Sequence, residues 1–285
     1  MNEKTKSLIG LHIGIFLVGI TGLLAKVMSS SVLFIVFGRV MFAAAALGLF
    51  LAYRKKPVWP RNWRDAGGFL LIGALLALHW YAFFYAIQIS TVALGLLTMM
   101  TFPVFTTILE PFFFRAKLGA RDVLIAALCA IGVWMVAPIG MSDLDPQYIT
   151  GAIWGVAAGF LISLVLLMNK KYVQSYSAIN VTFYQCAVAF VLTLPFMVWS
   201  GESILPIDWL YVFLNGVICT ALAHSLFIFS ARILSAQVVS VTAIMELFYG
   251  AVLAYLILGE GLEGNMIFGG VLIVGASYLA IRKSE

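Results

Sequence analysis

The sequence predicts an all-α membrane protein of ten transmembrane helices, arranged as two inverted five-helix repeats around a central cavity. Composition comes first: 63% of the 285 residues are apolar and 10% are charged, with a mean hydropathy of +1.07. A soluble domain carries about 25% charged residues, so too little charge is present to solvate a globule, and lipid is the expected solvent. The second observation is the spacing of the apolar runs, and the third is the distribution of lysine and arginine between them.

A spanning helix needs roughly 20 apolar residues. Runs of about that length cover 7–25, 31–53, 66–88, 91–114, 122–138, 150–169, 178–199, 207–230, 233–258 and 264–281. The first follows Lys4 and Lys6 as a signal peptide would, but its length and the nine runs after it mark a retained helix. The second is stopped by Pro57 and Pro60 in a connection, Arg54–Asp65, whose Trp59 and Trp63 suit the headgroup layer. Tight turns around Ile89–Ser90 and Ala231–Arg232 make the flanking runs antiparallel neighbours. In the fourth run, Pro103 lacks an N–H and can hinge the helix. The longest acidic connection, Met141–Pro146, leaves five runs on either side.

Charge tests this count. With the N-terminus placed inside, the inner segments hold Lys4, Lys6, Arg54, Lys55, Lys56, Arg61, Arg64, Arg115, Lys117, Arg121, Lys170, Lys171, Arg232, Arg282 and Lys283. The outer segments hold Lys26 alone, and Arg39 lies within a run. A miscounted helix would scramble this asymmetry. Both termini are therefore expected in the cytoplasm, with the chain in the plasma (inner) membrane. Asp143, Asp145, Glu202, Glu260 and Glu263 collect outside.

Five is odd, so the second half crosses in the opposite sense from the first. Laying Ala86–Met100 over Ala231–Met245 matches Ala86 with Ala231, Ser90 with Ser235 and Met100 with Met245. Inverted repeats place a binding site near the midplane and let the halves exchange conformations, opening it alternately to either side.

Several segments carry a family likeness: FGRVMFAAAALGLF, HWYAFFYAIQISTVALGLLTMMTFPVF, INVTFYQCAVAFVLTLPF and ELFYGAVLAYLILGEGLEGNMIFGGVLIVGASYLA. They resemble the EamA-type branch of the drug/metabolite transporter superfamily over nearly the whole chain, with Arg39 and Gly259–Glu260 the most distinctive positions. The resemblance implies two EamA-type five-helix repeats, at 1–140 and 147–285, around a substrate cavity. It also implies secondary export or exchange of small organic metabolites such as amino acids, as in the YddG-like exporters.

Polar side chains at membrane depth are costly and normally face a bundle interior or a wet cavity. Glu246, on a stripe with Ser235, Thr242 and Tyr249, reads as a cavity wall that binds a cation or carries a coupling proton, or as a hydrogen-bonded acid between helices. Arg39 reads either as an attractor of an anionic substrate group or as a structural partner of carbonyls and Glu246. The third run carries His79 and Phe83 on one stripe and Tyr81, Tyr85 and Gln88 on another, with Trp80 between them. Aromatic walls suit planar or cationic ligands. Thr98, Thr101, Trp154, Asn215 and His224 complete the candidate substrate-binding set, with Asn215 and the pair Thr220–His224 on separate stripes. For each, interhelical packing is the alternative role.

Phosphate-loop, HExxH and G-x-S-x-G patterns are missing from the sequence, so neither ATP hydrolysis nor these enzyme chemistries are expected. Cys129, Cys186 and Cys219 sit in apolar runs without CxxC spacing and read as buried packing residues, not as metal ligands. The expected partners are a small-molecule substrate, protons if Glu246 couples transport, and the lipid bilayer. Nucleic acid is not expected, no cofactor is implied, and a homodimer is left open. The rival readings are a facilitative, channel-like pore and an intramembrane enzyme acting on a lipid-linked substrate.

Overall fold

A computed structural model describes residues 3–114, 119–136, 146–234, 242–243, 245–261 and 264–282. Ser235, most of the Met141–Pro146 connection, and the charges Arg115, Lys117, Asp143, Asp145, Glu263 and Lys283 lie outside the described residues. Among the described residues there is no strand. The helices are α1 (Glu3–Val27), α2 (Val32–Tyr53), α3 (Trp63–Ile89), α4 (Val92–Met99), α5 (Phe102–Phe114) and α6 (Ala120–Val136), then α7 (Pro146–Tyr172), α8 (Ala178–Ser200), α9 (Pro206–Gly216), a π-helical turn (Val217–Leu222), α10 (Ala223–Ile233), α11 (Met245–Leu258) and α12 (Gly264–Arg282).

Among the described residues, seven helical stretches are long and apolar enough to cross a membrane: Glu3–Val27, Val32–Tyr53, Trp63–Ile89, Val92–Phe113, Pro146–Tyr172, Ala178–Ser200 and Pro206–Ile233. Shorter apolar helices cover Val123–Val133, Met245–Leu258 and Met266–Ala276. Two runs read from sequence as unbroken helices are interrupted. The fourth breaks between α4 and α5 at Met100–Thr101, just before Pro103, which cannot donate to the carbonyl of Met99. The eighth loosens into the π turn. The turn assigned to Ala231–Arg232 is in fact helical, since α10 runs to Ile233 and leaves helical geometry at Leu234. Trp63 likewise belongs to α3, whose first turn is capped by the Asn62 side chain.

Helix packing is exchanged between the halves. Helix α3 packs on α7 and α1 packs on α10; α3 meets α8 and α2 meets α9; α4 and α5 meet α7, and α1 meets α11. Helices α2 with α8, and α6 with α12, pack as pairs. Each helix thus meets the counterpart of its counterpart's partner, the pattern of a pseudo-two-fold repeat. Small residues permit these crossings, as usual between membrane helices. A Cβ on Gly216 would lie 2.6 Å from the Arg39 carbonyl, and one on Gly132 2.8 Å from the Gly269 carbonyl.

The loop contacts respect the two faces read from charge. On the basic face the Asn180 amide donates to the Pro57 carbonyl (2.8 Å), Tyr176 donates to Asp65 (2.6 Å), and Lys170 pairs with Glu110 (3.0 Å). The buried side chain of Asn180 is thus structural. On the acidic face Glu202 accepts from the Ser31 N–H (2.7 Å), Asp208 from the Ser30 N–H (3.0 Å) and Glu260 from the Val92 N–H (2.9 Å). Carboxylates thus cap the starts of α2 and α4, while Lys26 caps the end of α3 through the carbonyls of Ile87 and Ser90.

Candidate functional site

A cavity lies between the two halves. Its wall includes Ile15 and Thr21 of α1, Arg39 of α2, His79, Trp80 and Phe83 of α3, Met99 of α4 and Phe102 of α5. The second half contributes Leu166 and Asn169 of α7, Gln185 of α8, His224 and Phe227 of α10, and Ala243 and Glu246 beside and within α11. Its volume is about 100 Å³; a water needs roughly 10–15 Å³ by the same measure. Several waters or a small solute fit.

The polar groups on this wall are positioned by specific contacts. Arg39 is wholly buried, and its Nε and Nη2 donate to Thr220 Oγ1 at 3.0 and 2.7 Å. Thr220 is reachable because the π turn lets its hydroxyl donate across to the Asn215 carbonyl (2.8 Å), five residues back. The guanidinium carbon lies 4.1 Å from the Trp80 ring centroid and 5.1 Å from that of Phe84, cation–π contacts worth about 0.5–2 kcal/mol each. Its Nη1 is buried without a hydrogen-bond partner. The edge of Trp80 meets His224 with centroids 5.5 Å apart. His79 Nδ1 lies 2.8 Å from the Ala158 carbonyl; since a carbonyl only accepts, Nδ1 carries the proton, and Nε2 of the neutral ring is left as an acceptor. His79 also stacks on Phe83, with planes 7° apart.

Of the candidate residues, the structure gathers Arg39, His79, Trp80, Phe83, His224 and Glu246 on one wall. The anticipated Arg39–Glu246 ion pair is not formed: the guanidinium turns to Thr220, which the π turn brings within reach. Tyr81, Tyr85 and Trp154 form a separate aromatic patch between α3 and α7. Tyr81 stacks on Tyr85 at 6.1 Å, Trp154 packs in T-shaped contact with both, and Tyr81 and Trp154 are partly exposed. Thr98 and Thr101 turn back on their own backbone, donating to the carbonyls of Leu94 (2.7 Å) and Thr98 (2.8 Å), against Gly155 and Gly159 of α7. Asn215 sits behind the wall, its Oδ1 accepting from Thr21 (3.4 Å). Thr242 is buried next to the lining residue Ala243.

Three polar wall residues were missed from sequence. Gln185 donates to Asn169 Oδ1, and both line the cavity with Thr21. Gln185 is a lone amide in an apolar run, the same kind of signal that marked Glu246. Asn169 was hidden by the adjacent Lys170 and Lys171, which made it look interfacial.

A profile of the EamA-like transporter family matches residues 5–137 and again 149–282. A Bacillus subtilis (strain 168) protein named as the uncharacterized transporter YxxF is 25% identical over 99% of this chain and 92% of its own length. An S-adenosylmethionine uptake transporter of Rickettsia bellii (strain RML369-C) is 22% identical over 76% of this chain and 72% of its own. A solved crystal structure superposes with a TM-score of 0.69, 16% identity and 99% coverage of both chains, a likeness of fold.

Proposed function

The chain belongs to the EamA-like transporter family, and on that premise we propose that it is a secondary exchanger of small organic metabolites working by alternating access. It is a multi-pass membrane protein and not an enzyme. The observation that carries the mechanism is the cavity itself: a polar, aromatic-walled space to which both family-matching segments contribute, at the seam where their helix packing is exchanged. Such a seam supports rocking of one half against the other around a fixed site. We read ten spans in two inverted halves, 1–140 and 147–285, in a plasma membrane, and the charge asymmetry supports placing the basic face toward the cytoplasm.

The substrate reading is an amino acid or a larger solute that carries one, as S-adenosylmethionine does for the Rickettsia relative. Cavity size favours the smaller solute in this conformation, and a nucleoside-sized one requires the halves to part. Purified protein in liposomes loaded with unlabelled solute should accumulate the labelled solute saturably, and loading should accelerate entry. Linear, unsaturable flux without acceleration would instead indicate a pore. Imposing a pH gradient tests proton coupling through Glu246: uptake that responds to the gradient in the native chain should lose that response in Glu246→Gln.

A further inference from the structure

We infer that Arg39 anchors a carboxylate group of the solute, and that Thr220 in the π turn is the residue that positions it. This rests on the transporter reading and names the chemistry its cavity selects.

Arg39 is wholly buried, yet among the described residues no carboxylate lies within ion-pair distance of it. A structural arginine at this depth would be expected to take the acid that is available, because an unpaired charge away from water is costly. Glu246 lines the same cavity and is left unpaired with it. The guanidinium is instead immobilised by neutral groups. Nε and Nη2 converge on one hydroxyl oxygen, Trp80 and Phe84 lie against the group, and Nη1 is left buried and unpartnered on a residue of the cavity wall. Thr220 accepts from Arg39 because its own proton is committed to the Asn215 carbonyl, so the hydroxyl is fixed as an acceptor. The result is a positive charge with one nitrogen, Nη1, left to donate, oriented in advance and set against the Trp80 and Phe84 rings.

A carboxylate is the anion that suits it. Charge-assisted N–H···O bonds to guanidinium are the strong ones, and the rest of the polar wall includes acceptors, among them Glu246 and the Nε2 of His79. A solute with one carboxylate and a hydrogen-bond donor at its other end satisfies both sides of the cavity.

The test uses binding to the purified full chain in detergent, so that membrane leakage of amines does not enter. Three matched probe sets, built on the leucine, phenylalanine and lysine side chains, each comprise the amino acid, its amide and the decarboxylated amine; inorganic phosphate is a separate arm. In at least one set the acid should bind at least about tenfold more tightly than its amide and amine, the scale of one charge-assisted bond. Arg39→Gln should bring the acid down to the amide's level while leaving the amide unchanged, and Thr220→Val should do so partially. The acid-to-amide ratio in the native chain needs no variant, so a misfolded Arg39→Gln does not stall the experiment. Equal binding of acid and amide in every set overturns the inference, as does preference for the amine, for phosphate, or for none of the probes. An Arg39→Gln change that weakens acid and amide alike also overturns it, by making Arg39 structural. Saturable, exchanging uptake in liposomes alongside any of those results leaves the transporter reading standing; loss of both removes that reading too.

Discussion

At the scale of single residues, the wall of the cavity separates side chains that hold the fold from those left available to a solute. Glu246 is of the second kind, an acid on the wall with no ion-pair partner among the described residues. Glu246→Gln should therefore leave the melting temperature nearly unchanged while lowering transport at least about tenfold, the equivalent of roughly 1.4 kcal/mol in the transport cycle. Thermal unfolding together with liposome uptake checks both halves of this, and unaltered uptake would remove Glu246 from the site. Trp80 does both jobs, covering Arg39 and packing against His224. Trp80→Ala should cost about 3–5 kcal/mol by opening a cavity in the core, whereas Trp80→Phe should keep most of the stability and lose part of the cation–π contact. Urea or thermal melts of the two variants would separate these contributions. The legibility of such residues from sequence was uneven for a physical reason. A lone charge or imidazole in an apolar run, such as Arg39, Glu246 or His224, announces that it needs an interior. A tyrosine or tryptophan does not, because its ring is comfortable against lipid. Tyr81, Tyr85 and Trp154 were therefore indistinguishable in sequence from Trp80 and Phe83, although they form a separate patch between α3 and α7.

At the scale of the elements, spans are apolar all round, so helical periodicity shows that a helix exists and says little about which face meets which neighbour. The existence of most runs, the end of α3 near Ile89, and the weakness of the chain before Pro103 were readable for that reason. The π turn was not. It contains no proline or glycine to mark it, and Val217–Leu222 reads as ordinary helix. By inserting a residue into the turn it joins Asn215 and Thr220, which regular spacing had put on different stripes, and so creates the Arg39 acceptor. The element that holds this turn against α2 is the close crossing at Gly216, where an added Cβ would fall 2.6 Å from the Arg39 carbonyl and 2.8 Å from Phe42 Cβ. Backbone cannot yield as a side-chain end can. Gly216→Ala should cost about 1–3 kcal/mol by overpacking and should also reduce transport, because it displaces the backbone that carries Arg39. Gly67 in α3 gives the contrast, with nothing within 4 Å of an added Cβ. Gly67→Ala should be neutral or stabilise by about 0.5–1 kcal/mol through helix propensity. Melting both variants side by side distinguishes close packing from a general cost of altering membrane-helix glycines.

At the scale of the whole molecule, the cavity lies between two differently built faces. On the acidic face, carboxylates from the second half cap helix starts of the first, as Glu202 and Asp208 do at Ser31 and Ser30 and Glu260 at Val92. On the basic face, Phe69, Tyr172, Tyr176 and Tyr184 pack together beneath the Pro57–Asn180 and Asp65–Tyr176 bonds. These bonds join loops that the charge distribution had assigned to one and the same side, so sequence and tertiary contacts agree on which ends lie together. Thiol accessibility tests which side is the cytoplasm. The native cysteines Cys129, Cys186 and Cys219 are all buried, so the chain can carry a single reporter thiol at a chosen exposed position. Trp63 on the basic face is 93% exposed, and Ser203, beside Glu202 on the acidic face, is also exposed. In intact cells a membrane-impermeant maleimide should label Ser203→Cys directly and Trp63→Cys only after permeabilisation, because lysine and arginine are retained on the cytoplasmic side during insertion. The reverse pattern would invert the molecule and put the Asp208 and Glu260 caps in the cytoplasm. Labelling of both positions without permeabilisation would mean that the start of α3 and the end of α8 do not lie on opposite sides, and the inverted five-helix halves would fall with it.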